Sequence, residues 1–285
     1  MKVLPTITTV ELRSDLSKDN FRIDGRTPDA KEAQRIETVL GALRKIATNK
    51  IIPVKVESKN PSVKGKGLGF SASGFAALTL AAAKALGLKL SEQELSEIAR
   101  LGAGSASRSI TGGFSIWYAN NHGRSYAEML AAPGSIKMKT IIAPIQSTVK
   151  TDTAHRDVLT SPFYHARLAY VKNMLGKMKR AIRNRNIQQI GELAEIDTLN
   201  LHAITMTGSE RMVLFSPISI QIIEEVKNLR KEGVPVWYSL DTGPSVFVNT
   251  PERYATKVQE AVNPIAKSIV SDPGGPAEIM RHHLF

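Results

Sequence analysis

The sequence contains no cysteine, which removes disulfide frameworks, thiolate metal sites and cysteine nucleophiles from consideration. No apolar run approaches the roughly 18 residues of a membrane span; the best candidate, Phe75 to Ala83, stops at Lys84. Aromatic residues make up only 6% of the chain, and 26 acidic residues face 38 Lys and Arg, for a net charge of +12. That shortage of acid points to an anionic partner or substrate: nucleic acid, an acidic surface or a phosphorylated metabolite. Few aromatics and basic residues spread along the chain weigh against nucleic acid. The start, Met1-Lys2-Val3-Leu4-Pro5, lacks the apolar region and cleavage site of an export signal, so no membrane association and a cytoplasmic location are expected.

What is present suits a globular protein. Hydrophobic residues are 42% of the 285 positions, and with the 20 glycines beside them the apolar share reaches the roughly 45–50% of folded domains. The length fits two modest domains or one large one. Thr6–Leu12 reads as a strand and Asn20–Ile23 as a second, leading into an Asp24-Gly25 turn. Thr27-Pro28 reads as a helix start, followed by apolar residues at Ala30, Ala33, Ile36, Val39, Leu40, Leu43 and Ile46. Residues 51–56 read as a strand placed near an edge or bulge by Pro53. Residues 72–86 form an alanine-rich helix, Ser91 and Glu94 a capping box for the next, and residues 114–119 a strand.

The pattern breaks around Ala131-Pro133-Gly134, which sets domains at 1–135 and 136–285. The second half reads as a strand at 140–145, helices at 162–184, 187–199 and 217–232, strands at 234–240 and 246–249, a helix start at Thr250-Pro251 and a last strand near 267–271. This order suits a split β-α-β layer with helices on one face of a sheet, and the fold class is α+β. The histidines form no metal-binding pair and read as surface or capping groups. The basic run Lys177–Arg185 reads as the wet face of a helix.

Three stretches carry chemistry. The first, Gly65-Lys66-Gly67-Leu68-Gly69-Phe70-Ser71-Ala72-Ser73-Gly74, enters the alanine-rich helix. A helix N-terminus offers unpaired N–H groups, and glycines let backbone approach an anion, so the stretch is either a phosphate cradle or a flexible connection. In the second, Gly102 to Phe114, small residues surround one arginine, Arg108: an anion clamp, or a solvated arginine at a helix end. In the third, Asp241-Thr242-Gly243-Pro244, the aspartate either stabilises its own turn or aims a carboxylate into a cleft to accept a proton.

Taken together these stretches resemble the diphosphomevalonate decarboxylases of the GHMP kinase superfamily over nearly the whole chain. The family's phosphate loop corresponds to Gly67–Leu78, with Gly69-Phe70 in its third and fourth places, and its serine-glycine stretch to Leu95–Phe114, with Ala103 for one serine. Thr160-Ser161-Pro162, Leu201-His202-Ala203, Asp241-x-Gly-Pro and Pro273-Gly274-Gly275 follow in the family's order.

The resemblance implies a GHMP kinase fold of two domains, the first like a ribosomal-protein domain and the second ferredoxin-like, with the site in the cleft between them. It implies ATP-dependent decarboxylation of mevalonate 5-diphosphate to isopentenyl diphosphate, with ADP, phosphate and CO2, or the corresponding reaction of mevalonate 5-phosphate. Asp241 would act at the 3-hydroxyl and Arg108 on the carboxylate. Gly67, Leu68, Gly69, Ser71, Ala72 and Ser73 would wrap the phosphates of ATP with Mg2+, and Ser105 and Ser107 would donate to phosphate oxygens. The metal would need few protein ligands, and a homodimer is expected. A pure 3-kinase of this superfamily lacks the aspartate; a basic nucleic-acid-binding protein of related fold is the reading from another class. Family members also carry an earlier strand with a Lys-Tyr-Trp-Gly-Lys segment, and the sequence given starts after it. A truncated reading of a longer protein is therefore expected, with Lys64 or Lys66 substituting for the missing lysine as the other option.

Overall fold

The computed structural model describes residues 2–47, 52–63, 68–146 and 151–285. The chain divides into two compact units: Met1–Ser62, Gly69–Pro133 and Gly274–Phe285 in the first, Val63–Leu68 and Gly134–Pro273 in the second. The division thus differs from a single cut after residue 135, because residues 274–285 return to the first unit.

In the first unit, β1 (Ile7–Leu12), β2 (Asn20–Ile23), α1 (Ala30–Ala47) and β3 (Val54–Lys59) build a sheet in the order β1-β3-β2. β1 runs antiparallel to β3, with Val10 opposite Val56, and β2 runs parallel to it. β3 is therefore the central strand. Pro53 lies just before its first residue, where a missing N–H breaks no ladder, and the proline carbonyl accepts from Arg13 N at 2.8 Å. The start of α1 also differs from the Thr27-Pro28 expectation. Asp29 caps it: its Oδ1 accepts from Glu32 N at 2.8 Å, while Glu32 Oε2 accepts from Asp29 N at 2.9 Å. Arg26 grips both oxygens of Glu32 at 2.6 and 2.7 Å, which holds that carboxylate over the helix end where it complements the dipole.

The buried face of α1, Ile36, Val39, Leu40 and Leu43, packs with Val54 and Val56 and with α2 (Phe70–Ala85) and α3 (Glu92–Gly102). Alanines at 76, 82 and 83 let α2 sit close to its neighbours. The Ser91–Glu94 capping box forms as its residues dictate. A short α4 (Ala106–Thr111) and a hairpin, β4 (Phe114–Asn121) and β5 (Arg124–Ala131), complete the unit. The hairpin turns on His122 and Gly123, both at positive φ (52° and 81°).

The terminal segment docks on α4 and its exit. Gly113 N donates to Gly274 O at 2.8 Å and Ala277 N to Ile110 O at 3.1 Å. Gly112 has φ 65°, and a Cβ there would lie 2.2 Å from the carbonyl carbon of Gly275. Backbone meets backbone at this place, so only glycine fits.

In the second unit, β6 (Met138–Ala143) precedes α5 (Thr151–Asp157), α6 (Tyr164–Arg183), α7 (Ile187–Met206) and α8 (Pro217–Lys231). Then come β7 (Trp237–Ser239), β8 (Val246–Pro251), α9 (Ala255–Val262) and β9 (Ile269–Ser271). The sheet is antiparallel, ordered β7-β8-β6-β9. Ile141, Tyr238, Val246 and Val248 form a core with Ile222, Val226 and Leu229 of α8 and Val258 and Val262 of α9. Strand alternation turns Trp237 the other way, and there Gly191 of α7 accepts it: a Cβ at Gly191 would lie 2.2 Å from the indole ring. The sheet is thus covered on both sides of β7, not on one face alone.

Gly112→Ala is expected to release residues 274–285 while leaving the second unit folded. Limited proteolysis with mass spectrometry would show cleavage after residue 273 in the variant, together with a loss of about 1–3 kcal/mol in the first unit's stability.

Candidate active site

The glycine-rich approach to α2 is seen from Leu68 onward; Gly67, with Lys64 and Lys66, lies outside the described residues. Leu68 is buried. Gly69 occupies the N-cap position in the left-handed region (φ 78°), no side chain caps the helix, and a Cβ on Gly69 would meet nothing within 4 Å. Among the described residues the amides of Phe70 and Ser71 meet no acceptor, with the exposed Ser71 side chain beside them, while Ala72 N and Ser73 N donate to Gly69 O at 3.0 and 3.2 Å. The other two small residues turn elsewhere. Ala72 is buried. Ser73 Oγ donates to Phe70 O at 3.1 Å and lies 2.6 Å from Thr6 Oγ1, so it ties α2 to the stretch before β1.

The turn before α4 is shaped by aromatic rings. A Cβ on Gly102 would lie 2.1 Å from the Phe75 ring and one on Gly104 2.8 Å from Trp117, so these glycines are there for packing. Arg35 Nε also donates to Gly102 O at 2.5 Å. Ser107 is fully buried and gives its hydroxyl to Gly104 O at 2.7 Å; it closes the turn and is not an open donor. Ser105 is exposed at the helix N-cap with no capping bond. Arg108 projects from α4 into solvent and forms no ion pair among the described residues, while its carbonyl accepts from Gly112 N at 2.9 Å. The result is a free guanidinium on a tightly bonded backbone.

In the second unit, Asp241 follows β7 with an exposed side chain that takes no hydrogen bond among the described residues. The carboxylate does not stabilise its own turn. The loop beneath is buried instead: Gly243, at φ 50°, has no room for a side chain because a Cβ would lie 2.6 Å from Leu214 O. Ser219 Oγ donates to Pro244 O at 2.6 Å, and Ser245 Oγ accepts from Ile145 N at 2.9 Å.

His202, expected at the surface, is wholly buried. Its Nε2 lies 3.1 Å from Asp241 O and its ring stacks on Phe215 at 4.1 Å between centroids. Because a carbonyl only accepts, Nε2 carries the proton. Burial pushes the imidazole down to about 4, the bond to Asp241 O pulling the other way. The Leu201-His202-Ala203 stretch was the only sequence signal at this position. Thr160-Ser161-Pro162 proves to be a clasp: Thr160 Oγ1 accepts from Ser209 N at 2.7 Å, and Ser161 Oγ lies 2.7 Å from Thr207 Oγ1. Buried Asp157, which no sequence pattern flagged, accepts from Ser209 Oγ and Glu210 N, both at 2.9 Å.

Two compact α+β units, with a glycine at the N-cap of α2 in one and an exposed carboxylate after β7 in the other, match solved GHMP-type mevalonate diphosphate decarboxylases. Residues 1–127 match the diphosphomevalonate decarboxylase-like N-terminal domain and residues 145–273 the mevalonate 5-diphosphate decarboxylase C-terminal domain. Phosphomevalonate decarboxylase of Haloferax volcanii is 36% identical over 278 residues, covering 96% of this chain and 86% of the relative. Diphosphomevalonate decarboxylase of Candida albicans is 29% identical over 284 residues, covering 90% of this chain and 75% of the relative. The solved mevalonate diphosphate decarboxylase of Enterococcus faecalis superposes with a TM-score of 0.87 at 30% identity, over 97% of this chain and 86% of that one. A solved complex with MVAPP, AMPPCP and magnesium matches with the same values. The chain belongs to the diphosphomevalonate decarboxylase family. No described helix is long and apolar enough to cross a membrane.

The buried imidazole has a consequence for pH. Between about 4 and its ordinary 6.5 the unfolded chain binds a proton that the folded chain refuses, so the ring's contribution is complete above pH 6.5 and lost as pH falls toward 4. The loss is about 2 kcal/mol at pH 5. Urea titrations at pH 7 and pH 5 should show the wild type losing that much more stability than His202→Gln; equal losses would exclude this account.

Proposed function

We propose that this protein catalyses the ATP-dependent decarboxylation of a 5-phosphorylated mevalonate, releasing CO2, ADP and phosphate and leaving an isopentenyl product. A tertiary hydroxyl leaves poorly; when ATP and Mg2+ are bound, phosphoryl transfer turns that oxygen into a good leaving group, and its departure accompanies loss of the neighbouring carboxylate. Support for the nucleotide comes from the uncapped amides and open Gly69 at the start of α2, which suit a phosphate, and from the AMPPCP and magnesium bound by a solved relative. Gly67, Leu68, Gly69 and Ser71 would hold the phosphates through backbone and hydroxyl donors, with Ser105 as an additional donor. Ala72, whose amide donates to Gly69 O at 3.0 Å, would line the cradle by its small size, and Ser73 and Ser107 would shape the loops they already tie. Mg2+ would be carried mainly by phosphate oxygens and water, with few protein ligands.

The single observation that carries this reading is the exposed carboxylate of Asp241, without a partner among the described residues, on a loop packed and hydrogen-bonded beneath it. Such a group can take the proton of the 3-hydroxyl as the oxygen attacks phosphorus. Arg108 would grip the substrate carboxylate, whose charge it neutralises until CO2 departs.

Two substrates fit. Sequence motifs alone name mevalonate 5-diphosphate first. The greater similarity to phosphomevalonate decarboxylase than to diphosphomevalonate decarboxylase favours mevalonate 5-phosphate, giving isopentenyl phosphate.

Assays with ATP, Mg2+ and each substrate, on protein that includes any coding sequence preceding Met1, should give equimolar ADP and CO2. A kcat/KM at least tenfold higher for the monophosphate is expected; the reverse order assigns the diphosphate, and no product from either ends the enzymatic reading. Asp241→Asn is expected to lower kcat by about 10²–10⁴-fold while a fluorescent ATP analogue binds within about twofold of wild type. Turnover that survives this substitution would remove Asp241 from the chemistry.

A further inference from the structure

β7 is an edge strand: in the order β7-β8-β6-β9 it has a partner on one side only. A free edge leaves backbone groups unsatisfied, and here side chains of α7 take the place of a strand. Glu195, Thr198 and His202 are spaced by three and four residues and so share one face of that helix. Glu195 Oε1 accepts from Tyr238 N at 3.0 Å. Thr198 Oγ1 lies 3.1 Å from Leu240 N, which donates to it, and 3.3 Å from Leu240 O. His202 Nε2 donates to Asp241 O at 3.1 Å. The first rung is itself anchored, since Arg230 of α8 holds Glu195 Oε2 at 2.7 Å.

The rungs continue past the end of the strand, and the last one lands on the residue that bears the exposed carboxylate. We infer that His202 is a positioning residue: its N–H fixes the carbonyl of Asp241, and with it the direction in which the Asp241 side chain leaves the loop. Two further observations separate this from ordinary core packing. The ring is locked by Phe215, stacked at 4.1 Å, and by Gly243, where a Cβ would lie 3.6 Å from Cε1. Its other nitrogen, Nδ1, is buried without a partner among the described residues. An orphaned polar atom costs about 1–3 kcal/mol, and an apolar side chain would fill the space without that cost. The imidazole thus carries a cost that an apolar contact would not, in exchange for a directional donor at the loop.

The inference rests on the role proposed for Asp241, and the experiment keeps the two apart. Met and Gln have similar length, but only Gln donates a hydrogen bond. His202→Met, His202→Gln and Asp241→Asn are compared in the intact protein for kcat and KM with the preferred substrate, for binding of a fluorescent ATP analogue and for thermal midpoint. With His202→Met, kcat is expected to fall at least tenfold, KM and analogue affinity staying within about twofold, because a misplacement near 1 Å costs about 10²-fold; His202→Gln should recover most of the loss. Equal kcat in the Met and Gln variants, with Asp241→Asn inactive, overturns the inference while leaving Asp241 in place. Full turnover in Asp241→Asn removes both. If neither variant at position 202 folds, Thr198→Val takes out the preceding rung and is read the same way: a severalfold fall in kcat at unchanged KM upholds the inference, and unchanged kcat overturns it.

Discussion

A strand at the edge of a sheet has one row of N–H and C=O groups with no strand to meet them, and the second unit depends on how that row is answered. The side chains of α7 answer it, rung by rung, from Tyr238 to Asp241. This arrangement requires α7 to lie close beside β7, which Gly191 permits by leaving room for the Trp237 ring. It also requires the loop after β7 to be buried against Leu214 and α8, which Gly243 and Ser219 provide. Packing, hydrogen bonding and the exposure of one carboxylate thus follow from a single need to satisfy a bare edge.

The first unit is organised by close approach. Four glycines, at 102, 104, 112 and 113, sit where a ring or a backbone carbonyl occupies the space of a side chain. Together they fold residues 102–114 into a compact platform on which Arg108 and Ser105 are left pointing to solvent. A guanidinium carried on six helical residues would wander if its own carbonyl were free. It is not, because Gly112 N, Thr111 Oγ1 and Ser115 Oγ all donate to it.

Much of this was legible in the sequence. Period and capping chemistry located α1, α3 and α8, alanine-rich composition located α2, and β-branched runs located β1 and β6, because local physics decides such segments. Family motifs named Arg108, Asp241 and the approach to α2. What escaped was whatever depends on distant partners. α4 is too short for a period to show. β5 hides behind the unremarkable Arg124–Ala131, its hairpin marked only by His122-Gly123. Pro53 suggested an edge, yet its strand is central, since one proline just outside a ladder breaks nothing. His202 looked like any lone histidine; its burial involves Phe215 and Gly243, neither of which its neighbours in sequence announce. The family resemblance implies phosphate contacts for Ser73 and Ser107; that each hydroxyl also has an acceptor in its own turn could not be read from the sequence.

The return of residues 274–285 to the first unit bears on synthesis. Gly113 waits for Gly274, and Thr9 for the amide of Leu284, 3.1 Å from its hydroxyl. The ribosome makes those partners after every residue of the sheet between them. The unit whose strands are translated first is therefore the later one to be finished, and during elongation it stands with the seat for residues 274–285 open to solvent.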